Sequence, residues 1–556
     1  MTERTPRSFV PADYQPPLSQ DRFLVREPPD AEAVPMDVLF VGGGPAGLAG
    51  AIELARLVRW DAESGGGVGE IEIGVLEKSE VLGEHCLSGA VVVPGPFREL
   101  FPAVPEEELP FRRPVHGDRV YLLTERGSLR LPTPPSMRNH GNYVASISEI
   151  VRWMGERAEA AGVSVFTGFP ADALLVEGER VVGVRTTPSG LGRDGAPGSG
   201  YVPPTDLTAR ITVLAEGTRG SLTQAYLEWQ GIGSENPQIF ALGVKELWET
   251  PAGPEAVIHT LGWPLPSDVF GGSFMYPMGE NLVSLGLVVG LDYPQHSLDT
   301  HVLLQRLKTH PLFGRLLAGG ELVEWGAKTI PEGGYYAIPE RLHGDGVLIT
   351  GDAAGLVNVP SLKGIHYAVL SGMFAARAAF RALESRDTSA EALSVYDRRV
   401  RDSFIVRDLH RTRNMRLAFK KGLYVGGIKA AMMTLTRGVF PGSRIAAEAD
   451  PTARRQVVDM PPFTPDGRRT FSKQDAVFRS GNATRDDLPS HLVVGEDIDG
   501  DTASFYESMC PAGVYERRGD GLVVNAPNCV DCKATDVLGP RWTPREGGSG
   551  PSYKRM

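Results

Sequence analysis

Three of the four cysteines gather close to the C-terminus. Cys529-Val530-Asp531-Cys532 places two thiols three positions apart, and a remote Cys510 stands before Pro511. A thiolate pair at that spacing suits an iron–sulfur loop, a zinc site or a redox dithiol. A ferredoxin-type loop would continue to a further cysteine where Thr535 stands, with Asp536 beside it. Only three thiolates are therefore at hand, and four-thiolate zinc is excluded. No histidine follows His491, so a nearby imidazole does not readily complete the set. Three cysteines suffice for a 3Fe–4S cluster, or for a 4Fe–4S cluster whose fourth iron takes water or Asp536. Cys86 stands alone among small and apolar residues and reads as a small buried side chain.

The second chemical signature is a phosphate-binding turn. Val38-Leu39-Phe40-Val41 runs into Gly42, Gly44 and Gly47 at the spacing of the dinucleotide fingerprint, and a helix follows from Leu48 to Leu57. The first glycine permits the turn, the second lets backbone approach a pyrophosphate, and the third lets helix pack on strand. The free N–H groups of the helix N-terminus then face the phosphates. A second strand, Ile71–Leu76, ends in Glu77, where an acid holds a ribose hydroxyl. A third strand ends in Glu216-Gly217. A fourth, Gly346–Thr350, leads into Gly351-Asp352-Ala353-Ala354-Gly355 and a helix from Gly364 to Leu383. An acid at Asp352 suits a ribityl chain, so the turns together favour FAD over NAD.

These residues need elements to hold them. Residues 36–78 read as a βαβ unit. Ser146–Ala161 reads as an amphipathic helix that Ser146 or Ser148 caps, with Glu149 placed for a capping box. Strands are expected at 163–166, 181–186 and 211–217, and a Gly/Pro-rich loop at 189–204. Residues 225–340 alternate in the manner of an antiparallel domain, as in Val283–Val289. Residues 419–442 mix apolar and basic side chains and suit either a membrane surface or a core helix. Residues 1–35 are polar and Pro-rich and predict an extended arm without a signal sequence.

The 556 residues are enough for two to four domains, and 42% hydrophobic content is ordinary for a globular chain. A net charge of −11 argues against a nucleic-acid surface. Four cysteines make no disulfide framework and point to a reducing compartment. No run of 18 apolar residues occurs.

Further motifs recur along the chain in a fixed order. They are Gly83–Pro94 with its Leu-Ser-Gly, Asn139-His140-Gly141-Asn142-Tyr143, Asp194-Gly195-Ala196-Pro197 and Gly243-Val244-Lys245-Glu246-Leu247-Trp248. Gly262-Trp263-Pro264-Leu265, Gly271-Gly272-Ser273-Phe274 and Asn358-Val359-Pro360 with Lys363-Gly364 follow. Cys510-Pro511-Ala512-Gly513-Val514-Tyr515, Asn528–Lys533 and Glu546-Gly547-Gly548 close the series. From residue 36 onward, the chain resembles the electron-transfer flavoprotein:ubiquinone oxidoreductase family.

The resemblance implies a mixed α/β and α+β fold. An FAD-binding split Rossmann-like domain of the glutathione-reductase type would span 36–224 and 341–418, after an N-terminal arm, 1–35. An antiparallel quinone-binding domain would span 225–340, a membrane-surface segment 419–454, and a ferredoxin-like iron–sulfur domain 455–556. Gly42, Gly44, Gly47, Glu77, Glu216, Gly217, Gly351 and Asp352 would bind the cofactor. Ala46 and Lys78, beside the loop and the acid, and Ser88, Gly89 and Gly364, within the matched motifs, complete that set. Gly271 and Gly272 would meet the quinone through backbone, and Cys510, Cys529 and Cys532 would hold the cluster, with Thr535 or Asp536 at the fourth position. The resemblance further implies an electron-transferring-flavoprotein dehydrogenase, fed by electron-transfer flavoprotein and delivering to membrane quinone. It would sit as a monotopic protein on the cytoplasmic face of a bacterial inner membrane, or on the matrix face in a mitochondrion. Gly83–Val104 and 419–438 would be its two membrane-dipping surfaces.

Two departures stand out: the family has a cysteine where Thr535 stands, and Asp352 gives a turn more like that of flavin monooxygenases and geranylgeranyl reductases. No general acid is identifiable by motif; for His366 and Tyr276 a packing role is favoured. The rival readings are an isoprenoid reductase with a degenerate cluster domain, and a C-terminal block that docks a partner without redox metal.

Overall fold

A computed structural model describes residues 7–17, 19–89, 91–458, 460–519 and 521–556. Residues 1–6 of the expected arm and Ala90 of the Gly83–Pro94 stretch lie outside the described residues.

The strand Val34–Val41 is central to a nine-stranded sheet. Its last four residues are buried on both faces, the pattern of a parallel strand covered by helices. Ile73–Glu77 pairs parallel on one side and Asp206–Leu214 on the other, and Ser164–Thr167 and Val347–Ile349 extend the parallel core. The helices Pro45–Glu63 and Ile365–Ser385 pack together over this sheet. Where they cross, a Cβ on Gly372 would lie 2.1 Å from Ala46 O. Gly42 and Gly351-Asp352 sit at the carboxyl ends of the two parallel strands that flank Asp206–Leu214, where ligands of open α/β sheets bind.

A seven-stranded sheet forms the second unit, in the order Glu321–Pro331, Phe240–Glu249, Leu282–Gly290, Gly271–Gly279, Val257–Gly262, Asp118–Leu123 and Ser128–Leu131. The antiparallel expectation is met except where Val257–Gly262 runs parallel to Asp118–Leu123. That hairpin comes from residues assigned by sequence to the first domain, so the 225–340 boundary misses two strands. Its pairing partner lies more than a hundred residues away, and no local pattern reports it.

Other expectations need correction. Residues 189–204 are not a plain loop; Ser189–Leu191 pairs with Pro197–Val202 in an exposed hairpin. Gly/Pro content marked the turn and hid the strands. Ser146 does cap Ile147–Ala160 by accepting from Glu149 N, but the Glu149 carboxylate binds Arg112 instead of closing a box. The N-terminal segment is no free arm. Ser8–Phe9 pairs with Arg455–Gln456, and Leu24–Val25 adds to the edge of the large sheet. Gln15 Nε2 donates to Asp536 O at 3.0 Å and Gly539 O at 2.9 Å, and Arg22 pairs with Asp172. Its polar composition is satisfied by long-range partners that composition does not reveal.

The C-terminal block carries the helix Gly500–Met509, the hairpin Tyr515–Arg518 with Gly521–Val524, and the short helix Ala534–Leu538. Thr329 N of the second sheet donates to Cys532 O at 2.9 Å. The cysteine loop is thereby fastened to a strand whose Lys328, Thr329 and Ile330 line the cavity described next.

Candidate functional site

A cavity of about 970 Å³ lies where the two sheets meet. At one end are Gly42, Gly44 and Ala46. A Cβ on Gly42 would lie 2.4 Å from Ala215 O, and one on Gly47 2.0 Å from Gly42 O, whereas one on Gly44 would meet nothing. Two glycines thus serve turn and packing, and Gly44 leaves room over the helix N-terminus for a phosphate. Glu77 accepts from Gly43 N at 3.0 Å and Ser79 N at 2.9 Å, which fixes its carboxylate at the cavity wall.

Lys78 and Glu216 also line the cavity, but their charged ends are engaged. Lys78 Nζ donates to Asp531 Oδ2 at 2.7 Å, inside the cysteine loop. Glu216 accepts from Leu222 N, Thr223 N and Thr223 Oγ1, capping the helix Ser221–Trp229. The sequence assigns both to the cofactor; the structure makes Lys78 a tie between units and Glu216 a cap. Gly217, Ser88, Gly89, Asp352 and Gly364 line the same space, and Gly351 N donates to Ser371 Oγ just behind it. Burial pushes the Asp352 carboxyl up to about 6.

Four lysines around this space were not singled out as site residues from sequence: Lys245 and Lys533, which are buried, and Lys328 and Lys363, which are half-buried. Burial lowers all four, Lys245 and Lys533 to about 7 and Lys363 to about 8. Lys245 Nζ donates to Ser88 O at 2.9 Å. Their count is the signal that was available, since lysine is rarely fully buried without a partner.

Gly271 and Gly272 line the second half of the cavity, on the strand Gly271–Gly279. Side chains there would strike neighbouring strands: a Cβ on Gly271 would lie 2.2 Å from Val288 O, and one on Gly272 2.6 Å from Thr260 O. The sheet itself thus demands both glycines. His259 Nε2 and Tyr276 OH are 2.7 Å apart beside them, and both are buried. His366 packs on Tyr367 and Phe404, and burial lowers it to about 3. Cys86 lines the wall with its thiol pushed up to about 12 by burial, the state of an unreactive cysteine.

The cavity reaches the helix Leu423–Leu435, whose Leu423, Gly427, Ala430, Ala431, Thr434 and Leu435 line it. The outer face of this helix is apolar and bare: Tyr424 is 70% exposed, Ile428 65% and Leu435 84%, and Val439 beyond it 73%. No described helix is long and apolar enough to cross a membrane. Only the first half of the 419–454 segment is exposed in this way; Asn236 and Asn414 bind the Ile445 and Ser443 carbonyls, and buried Asp450 holds Phe240 N. The described residues of the other expected membrane surface, Gly83–Val104, present no broad apolar face: Val91, Val92, Phe97, Leu100 and Phe101 are all buried.

The cysteine loop lies on the other side of the Cys532–Lys533 peptide. Cys510, Cys529, Cys532 and Thr535 share the wall of a small buried cavity, while Lys533 and Trp542 face the large one. All three thiols are free and are pushed up by burial, so cationic iron is needed to hold them as thiolates. The residues fit an iron–sulfur cluster at three corners. Asp536 does not face this cavity; its carboxylate accepts from Arg219 Nε at 2.9 Å and Trp542 N at 3.1 Å. His491, set aside on sequence, lies beside the loop: its ring, Cys529 and Asp531 bring ligand atoms within 4.8 Å of one another, and its Nε2 has no hydrogen-bond partner. The pairing of Leu492–Val493 with Arg541–Trp542 brings it there.

Residues 240–330 match the family model described as ETF-QO, ubiquinone-binding, and residues 467–554 the one described as electron transfer flavoprotein-ubiquinone oxidoreductase, 4Fe-4S. The mitochondrial electron transfer flavoprotein-ubiquinone oxidoreductase of Oryza sativa subsp. japonica is 38% identical over 554 residues, covering 94% of each chain. The chain belongs to the electron transfer flavoprotein-ubiquinone oxidoreductase family. The Homo sapiens relative is 37% identical over 94% of this chain and 89% of its own. Among solved structures, a geranylgeranyl bacteriochlorophyll reductase-like protein from Thermoplasma acidophilum superposes with a TM-score of 0.56 at 19% identity, over 74% of this chain and 93% of its own. A myxobacterial chondrochloren halogenase, a variant of FAD-dependent halogenases, gives 0.51 at 18%, over 75% and 95%. These two likenesses establish the flavoprotein fold alone. The chain is an oxidoreductase of the flavoprotein class with an iron–sulfur domain at its C-terminus.

Proposed function

We propose that this protein accepts electrons from reduced electron-transfer flavoprotein and delivers them to a membrane quinone. The observation that carries the reading is the continuity of the large cavity. It runs from the Gly42–Ala46 turn past Gly271–Gly272 to the helix Leu423–Leu435, whose outer face is apolar and bare. A diffusing prenylated quinone needs a site that opens at the lipid interface, and an exposed apolar helix beside basic Lys420, Lys421 and Lys429 suits a monotopic seat. Family membership supports the donor and the quinone. The reading places the protein on the cytoplasmic face in a bacterium or the matrix face in a mitochondrion.

When bound, FAD and the cluster supply the redox chemistry, FAD linking single electrons to pairs. The chain supplies placement. Gly44 and the helix N-terminus take the pyrophosphate, and Glu77 the adenosine ribose. The four lysines balance the phosphate charge, and Asp352 meets the ribityl chain. Backbone at Gly271–Gly272 would orient the quinone ring, and the Cys532–Lys533 peptide lies between the small cavity that would hold the cluster and the large one that would hold FAD. His259 and Tyr276, bonded to each other in the wall, keep that end of the site dry.

The test is turnover with reduced electron-transfer flavoprotein and vesicles carrying quinone. Quinol formation is expected, with loss in the Ile428→Glu variant, exposed and outside the cavity wall, when quinone is in vesicles but not when a soluble short-chain quinone is supplied. Equal loss with both quinones refutes the membrane seat, and no turnover with either refutes the function.

A further inference from the structure

We propose that the C-terminal site carries a three-iron, four-sulfide cluster, its three irons held by Cys510, Cys529 and Cys532 and its fourth corner, at Thr535, without iron. The inference rests on reading this domain as the family's cluster domain, described for the family as 4Fe-4S.

Three corners have thiolates, and the fourth has none. Thr535 lies in the wall of the small cavity together with the three cysteines, so it occupies the remaining corner. Its hydroxyl is already used twice. It donates to Pro540 O at 3.2 Å, which leaves the Tyr515 hydroxyl, 2.5 Å away, as donor to Thr535 Oγ1. Ligation as an alkoxide would remove the proton that Pro540 O accepts and set a carbonyl lone pair against an anion in a buried place. Thr535 is therefore a neutral hydroxyl facing a dry corner.

Among the described residues, no neighbour replaces it. The remaining wall is apolar apart from the Tyr515 hydroxyl. Asp536, the acid that sequence offers, is turned away and anchored by Arg219, Gln224 and Trp542 N. Lys533 stands in the wall of the other cavity, over the Trp542 ring. The His491 ring lies by Cys529 and Asp531, and His491 is not among the residues of this wall. A water or hydroxide on a fourth iron would need about two to four polar partners of its own, and the corner offers one hydroxyl pair already bonded to each other. Thiolate is what stabilises iron in such clusters; a corner without any anionic ligand loses its metal first.

The test uses the full, FAD-loaded chain purified without oxygen, so that no iron is lost to oxidation. Iron, acid-labile sulfide and FAD are counted, and the oxidised protein is examined by electron paramagnetic resonance. The expected result is three irons to four sulfides per FAD and a paramagnetic signal in the oxidised state, both unchanged in Thr535→Ala. Thr535→Cys is expected to raise iron to four, to silence the oxidised state and to give a signal on reduction. Should that variant fail to fold, Thr535→Ala carries the test. Four irons and a silent oxidised state in the native chain overturn the proposal, and if Thr535→Ala then drops to three, the hydroxyl was a ligand. Iron-free folded protein overturns it as well. Reoxidation of the flavin by quinone, followed on the same preparation, reports on the electron-transfer reading separately, since its failure leaves the iron count untouched.

Discussion

Asp531→Asn probes the joint between the cofactor cavity and the cysteine loop. Asp531 is 1% exposed, and its carboxylate accepts from Lys78 Nζ at 2.7 Å, Arg545 Nη2 at 3.0 Å and Trp542 Nε1 at 3.1 Å. Burial alone would raise its pKa, but Arg545 and Lys78 outweigh burial and hold it well below the usual carboxylate range. A depressed carboxyl contributes stability that is complete above its unfolded pKa of about 4 and is lost as pH falls through its folded value. At pH 7 the contribution is therefore whole. Asparagine keeps the shape and an acceptor for Trp542 but leaves Arg545, 8% exposed, facing a neutral amide. Breaking a buried pair costs about 3–5 kcal/mol. The Lys78 side chain is 27% exposed, and solvent screens its share, so the low end applies, about 3 kcal/mol. For a cooperative unit of 150–250 residues that is roughly 6–12 °C in Tm. The assay is thermal unfolding of the holoprotein followed by flavin fluorescence, with iron content measured beside it. Lys78→Met with Asp531→Asn should cost less than the sum of the single changes, by about 1–2 kcal/mol. A Tm within about 2 °C of the native chain, or strictly additive costs, refutes the reasoning.

Three other outcomes follow. Gly44→Ala, in open space, should lower FAD occupancy with Tm of the apoprotein unchanged, whereas Gly47→Ala, 2.0 Å from Gly42 O, should lower both; equal effects on stability contradict the division of labour. Tyr276→Phe leaves His259 Nε2 without its partner and should cost about 1–3 kcal/mol in urea unfolding; no change means the pair is not formed. Burial lowers His259 and His366 from 6.5 to about 3, so between those values the unfolded chain binds protons that the native chain does not. Stability should fall on acidification below about pH 6.5, on the order of 1 kcal/mol per pH unit per histidine, and His259→Gln should flatten that slope.

Much of the fold was legible because its signals are local. The Gly42–Gly47 turn, the strand ending at Glu77 and the Ser146 cap depend on residues a few positions apart, and the structure places them as the sequence predicts. Long-range pairing was not legible: the 118–131 hairpin joins the second sheet, and Ser8–Phe9 joins Arg455–Gln456, on contacts no pattern encodes. In the site, sequence names residue types but not the directions of their side chains. Lys78 and Glu216 line the large cavity and Asp536 follows Thr535 of the small one, yet each carboxylate or ammonium points to a protein partner. Direction depends on what the neighbouring unit presents, and for all three the decisive partner is a helix terminus or a charge distant in sequence or buried from view. His491 illustrates the converse, since a strand pair brings it to Cys529 from 38 positions away.

The central claim is that electrons held by this chain leave to quinone. The most direct measurement mixes fully reduced, FAD-loaded protein with a short-chain ubiquinone under anaerobic conditions and follows flavin absorbance and quinol together. The account predicts that the flavin reoxidises with quinol formed in proportion. A flavin that stays reduced in the presence of excess quinone would contradict it.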